Sequence, residues 1–121
     1  MFGMLAFYND NDSDMKTITT AELQQILAAQ PSAPLIDVRT PAEFAEAHIP
    51  QARSVPLDEL NPGALSLPKD QPVYLVCRTD HRSAMAAQQF ASHGYTQPIV
   101  VVGGTLAWFR ANLPVVRRDQ G

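Results

Sequence analysis

The sequence is poor in cysteine. One thiol, Cys77, stands among 121 residues. A single cysteine excludes an internal disulfide and a structural zinc site of the multi-cysteine kind. Positive charge is also scarce, with nine Lys and Arg against twelve Asp and Glu, a net charge of -3 and a pI near 5.4. That balance argues against nucleic-acid binding as the main task. No apolar run approaches the length of a membrane span. The opening stretch MFGMLAFYNDNDSDMK has no basic residue before its apolar part and no small-residue cleavage pattern after it. It does not read as a secretory signal. These absences predict a cytoplasmic protein without membrane or nucleic-acid partners, in a compartment where a free thiol persists. No cofactor and no metal are expected.

What is present is enough apolar material for one domain. Hydrophobic residues make up 45% of the chain, so a core forms without a disulfide or metal staple. The acidic patch NDNDSD marks residues 1–15 as a flexible segment, residues 16–118 as the domain and 119–121 as a tail.

Local signals alternate along the chain. Thr19-Thr20-Ala21-Glu22 is a capping box, and Leu23, Ile26 and Leu27 recur at helical spacing, which predicts a helix over 20–29. Leu35-Ile36-Asp37-Val38 reads as a strand buried on both faces. Thr40-Pro41-Ala42-Glu43 is a second capping box, opening a helix that should end near His48 before Pro50. Residues 52–56 form a candidate short strand, and 57–72 read as a loop with one helical turn. Val73 to Val76 is the next buried strand. Ser83 to His93 reads as a helix with Gly94 after it as the left-handed cap. Ile99 to Val102 is a further buried strand, followed by Gly103-Gly104 and a short helix from Thr105 to Ala111. Continuous apolar strands alternating with helices predict an α/β fold with a parallel sheet covered on both faces.

The cysteine lies where such folds do chemistry. Ligands bind beyond the carboxyl ends of parallel strands, and Cys77 is at that end of its strand. The following loop runs into a helix start, whose first amides lack intrahelical partners. Those amides and the helix dipole, worth roughly 0.3–2 kcal/mol, favour an anion such as a thiolate, a persulfide or an oxyanion. Arg78 and Arg82 act in the same sense. The alternative is that Cys77 is a small buried residue fitted to a strand end.

The loop CRTDHRS resembles the active-site loop of single-domain rhodaneses, which carry sulfur as a cysteine persulfide and usually read Cys, two residues, Gly, one residue, Arg, Ser. LIDVRTPAEFAEAHIPQA is similar to the first rhodanese signature, through Asp37-Val38-Arg39, Glu43-Phe44 and His48-Ile49-Pro50. VVVGGTLAWFRANLPV is similar to the closing one, through Gly103-Gly104, Trp108 and Pro114-Val115. The resemblance spans residues 17 to 116 and implies a central parallel sheet of about five strands with helices on both sides. It also implies a sulfurtransferase with Cys77 as sulfur carrier and Arg78, Thr79, Asp80, His81 and Arg82 as the substrate-binding loop. The donor would be thiosulfate, mercaptopyruvate or a persulfide, and the acceptor cyanide, a small thiol or a protein thiol. With no second cysteine, the acceptor must come from outside the chain.

Two rivals remain beside this reading. Asp80 replaces the usual Gly, the only hint of a binding or regulatory module without turnover. Phosphatase and arsenate-reductase relatives of the fold have five residues between Cys and Arg, whereas four separate Cys77 from Arg82. The shorter cradle fits a sulfur atom better than a tetrahedral phosphate. Asp also tolerates a left-handed backbone, which would preserve the loop shape. Its charge should disfavour a dianionic donor such as thiosulfate relative to mercaptopyruvate.

Other polar residues read as structural. Arg39 and Glu43 form a candidate pair one turn apart, and Asp37 a group that orients loops. His48 and His93 fit helix exits, Ser83 supports a helix start, Gly103-Gly104 make a tight turn beside the loop, and Trp108 and Phe109 are core or pocket wall.

Overall fold

The computed structural model describes residues 15–118. The expected flexible segment 1–15 and the tail 119–121 therefore lie outside the described residues, apart from Met15. In chain order the elements are β1 (Lys16–Ile18), α1 (Thr20–Ala29), β2 (Leu35–Asp37), α2 (Pro41–Glu46), β3 (Ala47–His48) and β4 (Arg53–Ser54). Two 3-10 turns, Leu57–Glu59 and Pro62–Ala64, lead to β5 (Val73–Val76), α3 (His81–Ser92), β6 (Pro98–Val101), α4 (Gly104–Arg110) and β7 (Val116–Arg117). Five strands form one sheet in the order β1-β6-β5-β2-β4, and every pairing in it is parallel.

The sheet is a two-sided partition because successive side chains on a strand point to opposite faces. On one face Leu35, Tyr74, Val76, Ile99 and Val101 pack with Leu23 and Leu27 of α1 and Trp108 of α4. On the other, Ile36, Val73, Leu75, Cys77 and Val100 pack with Ala86, Ala87 and Phe90 of α3. Parallel strands need crossovers, and these helices supply them while covering both faces. The continuous apolar runs are thereby explained, since the central strands β2 and β5 are buried along their whole length.

Several boundaries differ from the sequence expectation. α2 stops at Glu46 rather than near His48, because Ala47 and His48 pair antiparallel with Arg117 and Val116. α3 begins at His81, two residues before Ser83, so His81 and Arg82 belong to the helix rather than the loop. Two 3-10 turns replace the single turn expected in 57–72. β1 and β7 carry no strong local pattern. β1 forms by pairing Lys16, Thr17 and Ile18 with Ile99, Val100 and Val101.

Candidate active site

Cys77 follows β5 directly, and its side chain lies on the α3 face. It is 1% exposed, so the thiol sits beneath the loop that follows it. The first turn of α3 reaches back over the sulfur. The Ser83 backbone N–H donates to Cys77 Sγ at 3.3 Å. The Ser83 hydroxyl stands 3.4 Å from the same sulfur and donates to the Asp80 carbonyl at 3.0 Å. Ser83 is fully buried. Its contact with the sulfur is a feature that sequence reasoning missed. The signal was the serine itself, which closes the loop motif at the third position of the helix.

The loop is fixed from behind by the turn before α4. Thr105 N–H donates to the Cys77 carbonyl at 2.8 Å, and Leu106 N–H donates to the Arg78 carbonyl at 3.1 Å. Gly104, at φ +61°, lies so close that a Cβ there would fall 2.3 Å from the Cys77 carbonyl oxygen. Only glycine fits that approach. Asp80 adds a further bond, its Oδ1 accepting from Gly103 N–H at 2.8 Å. The tight turn expected at Gly103-Gly104 is thus the seat of the cysteine loop. Asp80 has φ −137° and ψ −21°, so the left-handed backbone expected there is not used. The carboxylate reaches Gly103 from an ordinary conformation instead.

Two ion pairs border the loop. Asp37 ends β2 opposite Val76 and is wholly buried. Its Oδ2 accepts from Arg39 Nη2 at 2.8 Å and its Oδ1 from Arg39 Nε at 3.0 Å. Arg39 Nη2 also donates to the Ala47 carbonyl at 2.8 Å, tying β2 to β3. Glu43 receives both arms of Arg82, at 2.7 and 3.0 Å. The Arg82 hydrogen bond, opposed by desolvation and aided by Thr40, lowers the Glu43 carboxyl from its ordinary 4.5 to about 2. Glu43 in turn raises the Arg82 guanidinium.

These pairings correct the expected Arg39–Glu43 pair. Arg39 lies ahead of the N-cap Thr40 and is not on the helix, so helical spacing does not bring it to Glu43. The buried Asp37 carboxylate takes the nearer cation instead. His93 caps the end of α3 and His48 lies in β3 just past α2, with Nδ1 at 2.9 Å from the Gln89 carbonyl and 2.7 Å from the Phe44 carbonyl respectively. Trp108 is core and donates to the Pro114 carbonyl at 2.7 Å.

Of the predicted loop residues, Arg78, Thr79, Asp80 and His81 are exposed, and Arg82 is partly covered. Arg78 forms one wall of a cleft of about 150 Å³ beside the loop, with Arg39, Ala47, Leu106 and Phe109. A roomier groove of about 460 Å³, lined by Ala87, Ala91, Tyr95 and Pro98, contains no loop residue. Among the described residues there is no group of His, Cys, Asp and Glu that could hold a metal ion, and no helix is long and apolar enough to cross a membrane.

Comparison with known proteins agrees with this architecture. A sulfurtransferase of Allochromatium vinosum is 36% identical over 99 residues, which cover 82% of this chain and 92% of that one. An uncharacterised Synechocystis protein is 43% identical over 101 residues, covering 84% of this chain but only 56% of that longer protein. The crystal structure of a rhodanese-like domain protein from Staphylococcus aureus matches with a TM-score of 0.71 and 35% identity, over 78% of this chain and 91% of that one. Residues 19–111 match the family model described as the rhodanese-like domain. With a cysteine loop seated at the carboxyl end of a five-stranded parallel sheet, and with that match spanning most of its length, the chain belongs to the rhodanese-like domain family.

Proposed function

We propose that this protein carries sulfane sulfur as a persulfide on Cys77 and passes it to an external nucleophile. The observation that supports this reading is the Ser83 N–H directed at Cys77 Sγ from the first turn of α3. A helix start that donates to a sulfur favours its anionic form. The donor meets Arg78, Thr79 and Asp80 of the loop and His81 and Arg82 at the start of α3. The exposed Arg78 favours an anionic donor, whereas Arg82 is already paired with Glu43.

The reaction has two displacements at sulfur. The Cys77 thiolate attacks the outer sulfur of a donor such as thiosulfate. A new S–S bond forms, the donor's own S–S bond breaks, and sulfite departs with the bonding electrons. The acceptor, cyanide or a thiolate, then attacks the terminal sulfur of the persulfide. The Cys77 thiolate leaves and is regenerated. No external oxidant is consumed. A protein thiol serves as acceptor as well as a small one, since the chain has no second cysteine to resolve the persulfide. A reducing cytoplasm suits this chemistry, because the resting thiol stays free there.

Intact mass tests the reading. After incubation with thiosulfate or mercaptopyruvate the protein should gain one sulfur atom, and cyanide should remove it. Cys77→Ser should stay folded, gain no mass and lose more than a thousandfold in sulfur-transfer rate. Sulfur loading or turnover in the purified Cys77→Ser protein would refute the assignment.

A further inference from the structure

Asp80 stands at the N-cap of α3, where an aspartate ordinarily accepts a hydrogen bond from the second or third helical amide. The third residue of α3 is Ser83, and its amide donates to Cys77 Sγ. An Asp80 side chain in the usual capping pose would compete with the sulfur for the amides of this first turn. It makes no such bond. Its Oδ1 accepts instead from Gly103 N–H at 2.8 Å. The Gly103 turn is the one whose next amides hold the Cys77 and Arg78 carbonyls.

We propose that Asp80 is a positioning residue whose carboxylate latches the cysteine loop to Gly103, so that the Cys77 sulfur, and not Asp80, caps α3. The proposal rests on the reading of Cys77 as the nucleophile. It assigns Asp80 a role different from the charge effect expected of it from the sequence. The latch does two things at once. It adds a side-chain bond to the two backbone bonds that seat the loop, and it keeps a competing acceptor away from the Ser83 amide. Thiolate and persulfide then meet the same preorganised donor.

The geometry makes Asp80→Asn and Asp80→Ala a diagnostic pair. Asn keeps an Oδ1 acceptor of the same reach and removes the charge. Ala removes both. Asp80 is exposed, so neither substitution disturbs the core. With a latch, Asp80→Ala should alkylate with neutral iodoacetamide and load sulfur up to about tenfold more slowly than Asp80→Asn, the upper end of the range for one neutral hydrogen bond. The Gly103 amide, followed by NMR, should exchange about tenfold faster in Asp80→Ala than in Asp80→Asn. Equal behaviour of the two variants in alkylation and exchange would overturn the latch. An equal gain of both in loading from thiosulfate would assign the charge effect instead. Alkylation and amide exchange need no sulfur donor. An alkylation difference between the two variants, in a protein whose wild type never accepts sulfur, would therefore sink the sulfurtransferase reading and leave the latch standing.

Discussion

Three helices of this domain start in two different ways. α1 and α2 open with complete capping boxes. Thr19 Oγ1 accepts from Glu22 N–H at 3.1 Å while Glu22 Oε1 accepts from Thr19 N–H at 2.8 Å. Thr40 and Glu43 repeat the arrangement at 3.2 and 3.0 Å. α3 has an aspartate at the same position, yet its side chain turns away and the first-turn amide goes to a sulfur. The closed starts spend their amides on stability. The open one holds them for chemistry. A donor left to a reacting atom is available in every state of that atom, whereas a donor tied up by a threonine is not.

The sharpest way to break that contrast is at Ser83. Its hydroxyl lies 3.4 Å from Cys77 Sγ, and its amide is 3.3 Å from the same atom. Ser83→Ala keeps the amide and removes the hydroxyl. The expected outcome is about a tenfold fall in sulfur loading and in alkylation of Cys77, or about 1.4 kcal/mol of barrier. Stopped-flow alkylation and timed intact mass both read it. Rates equal to wild type would show that the hydroxyl is dispensable and would leave the Ser83 amide alone to carry the contrast.

The matching experiment on a closed start should give the opposite signature. Thr19→Ala removes a hydroxyl of the same kind in a capping box far along the chain from the loop. It should lower unfolding free energy by about 1 kcal/mol and leave sulfur loading at the wild-type rate. Urea unfolding followed by circular dichroism, beside the loading assay, separates the two effects. A loading rate that falls in proportion to stability would mean that the loop reports global stability and nothing local.

The legible parts of this molecule are those whose chemistry is short in sequence. Both capping boxes depend on partners three residues apart, and both are present as read. Gly94 has the expected positive φ, at +89°. The central strands were visible because burial on both faces leaves an unbroken apolar run, and the position of Cys77 at the end of one followed. The illegible parts are set by contacts that no local pattern encodes. The Asp80 carboxylate finds Gly103 across 23 residues, and Arg82 finds Glu43 across 39. β1 is a strand only because β6 lies beside it. The one-turn spacing of Arg39 and Glu43 does not pair them, because Arg39 precedes the helix and turns to Asp37. The family motif pointed to the loop residues, but it could not say that Asp80 would face the Gly103 turn or that Ser83 would touch the sulfur.

The smallest effect concerns the two capping glutamates, which differ in what else they hold. Glu22 bonds only within its own box among the described residues. Glu43 closes its box and also receives Arg82, the second residue of α3, so the closed start of α2 props the open one. The Arg82 hydrogen bond lowers the folded-state carboxyl to about 2, against an ordinary 4.5. A depressed carboxyl stabilises the fold fully above its unfolded value and loses that contribution as pH falls toward the folded one. The window is therefore pH 4.5 down to about 2. Both partners are about 30% exposed, and solvent screening holds the contribution to about 0.5–1 kcal/mol. Glu43→Gln has no proton to take up. It should be less stable than wild type by that amount at pH 6, and the difference should shrink steadily through the window and vanish near pH 2. Denaturant unfolding of both proteins at several pH values measures it. A difference that stays constant with pH would show that the Glu43 carboxylate charge does not prop α3, and that the amide of glutamine lost only a capping bond. Arg82→Ala should shrink the pH-dependent part in the same window while leaving the Thr40 box closed. That would separate the prop from the cap within a single residue.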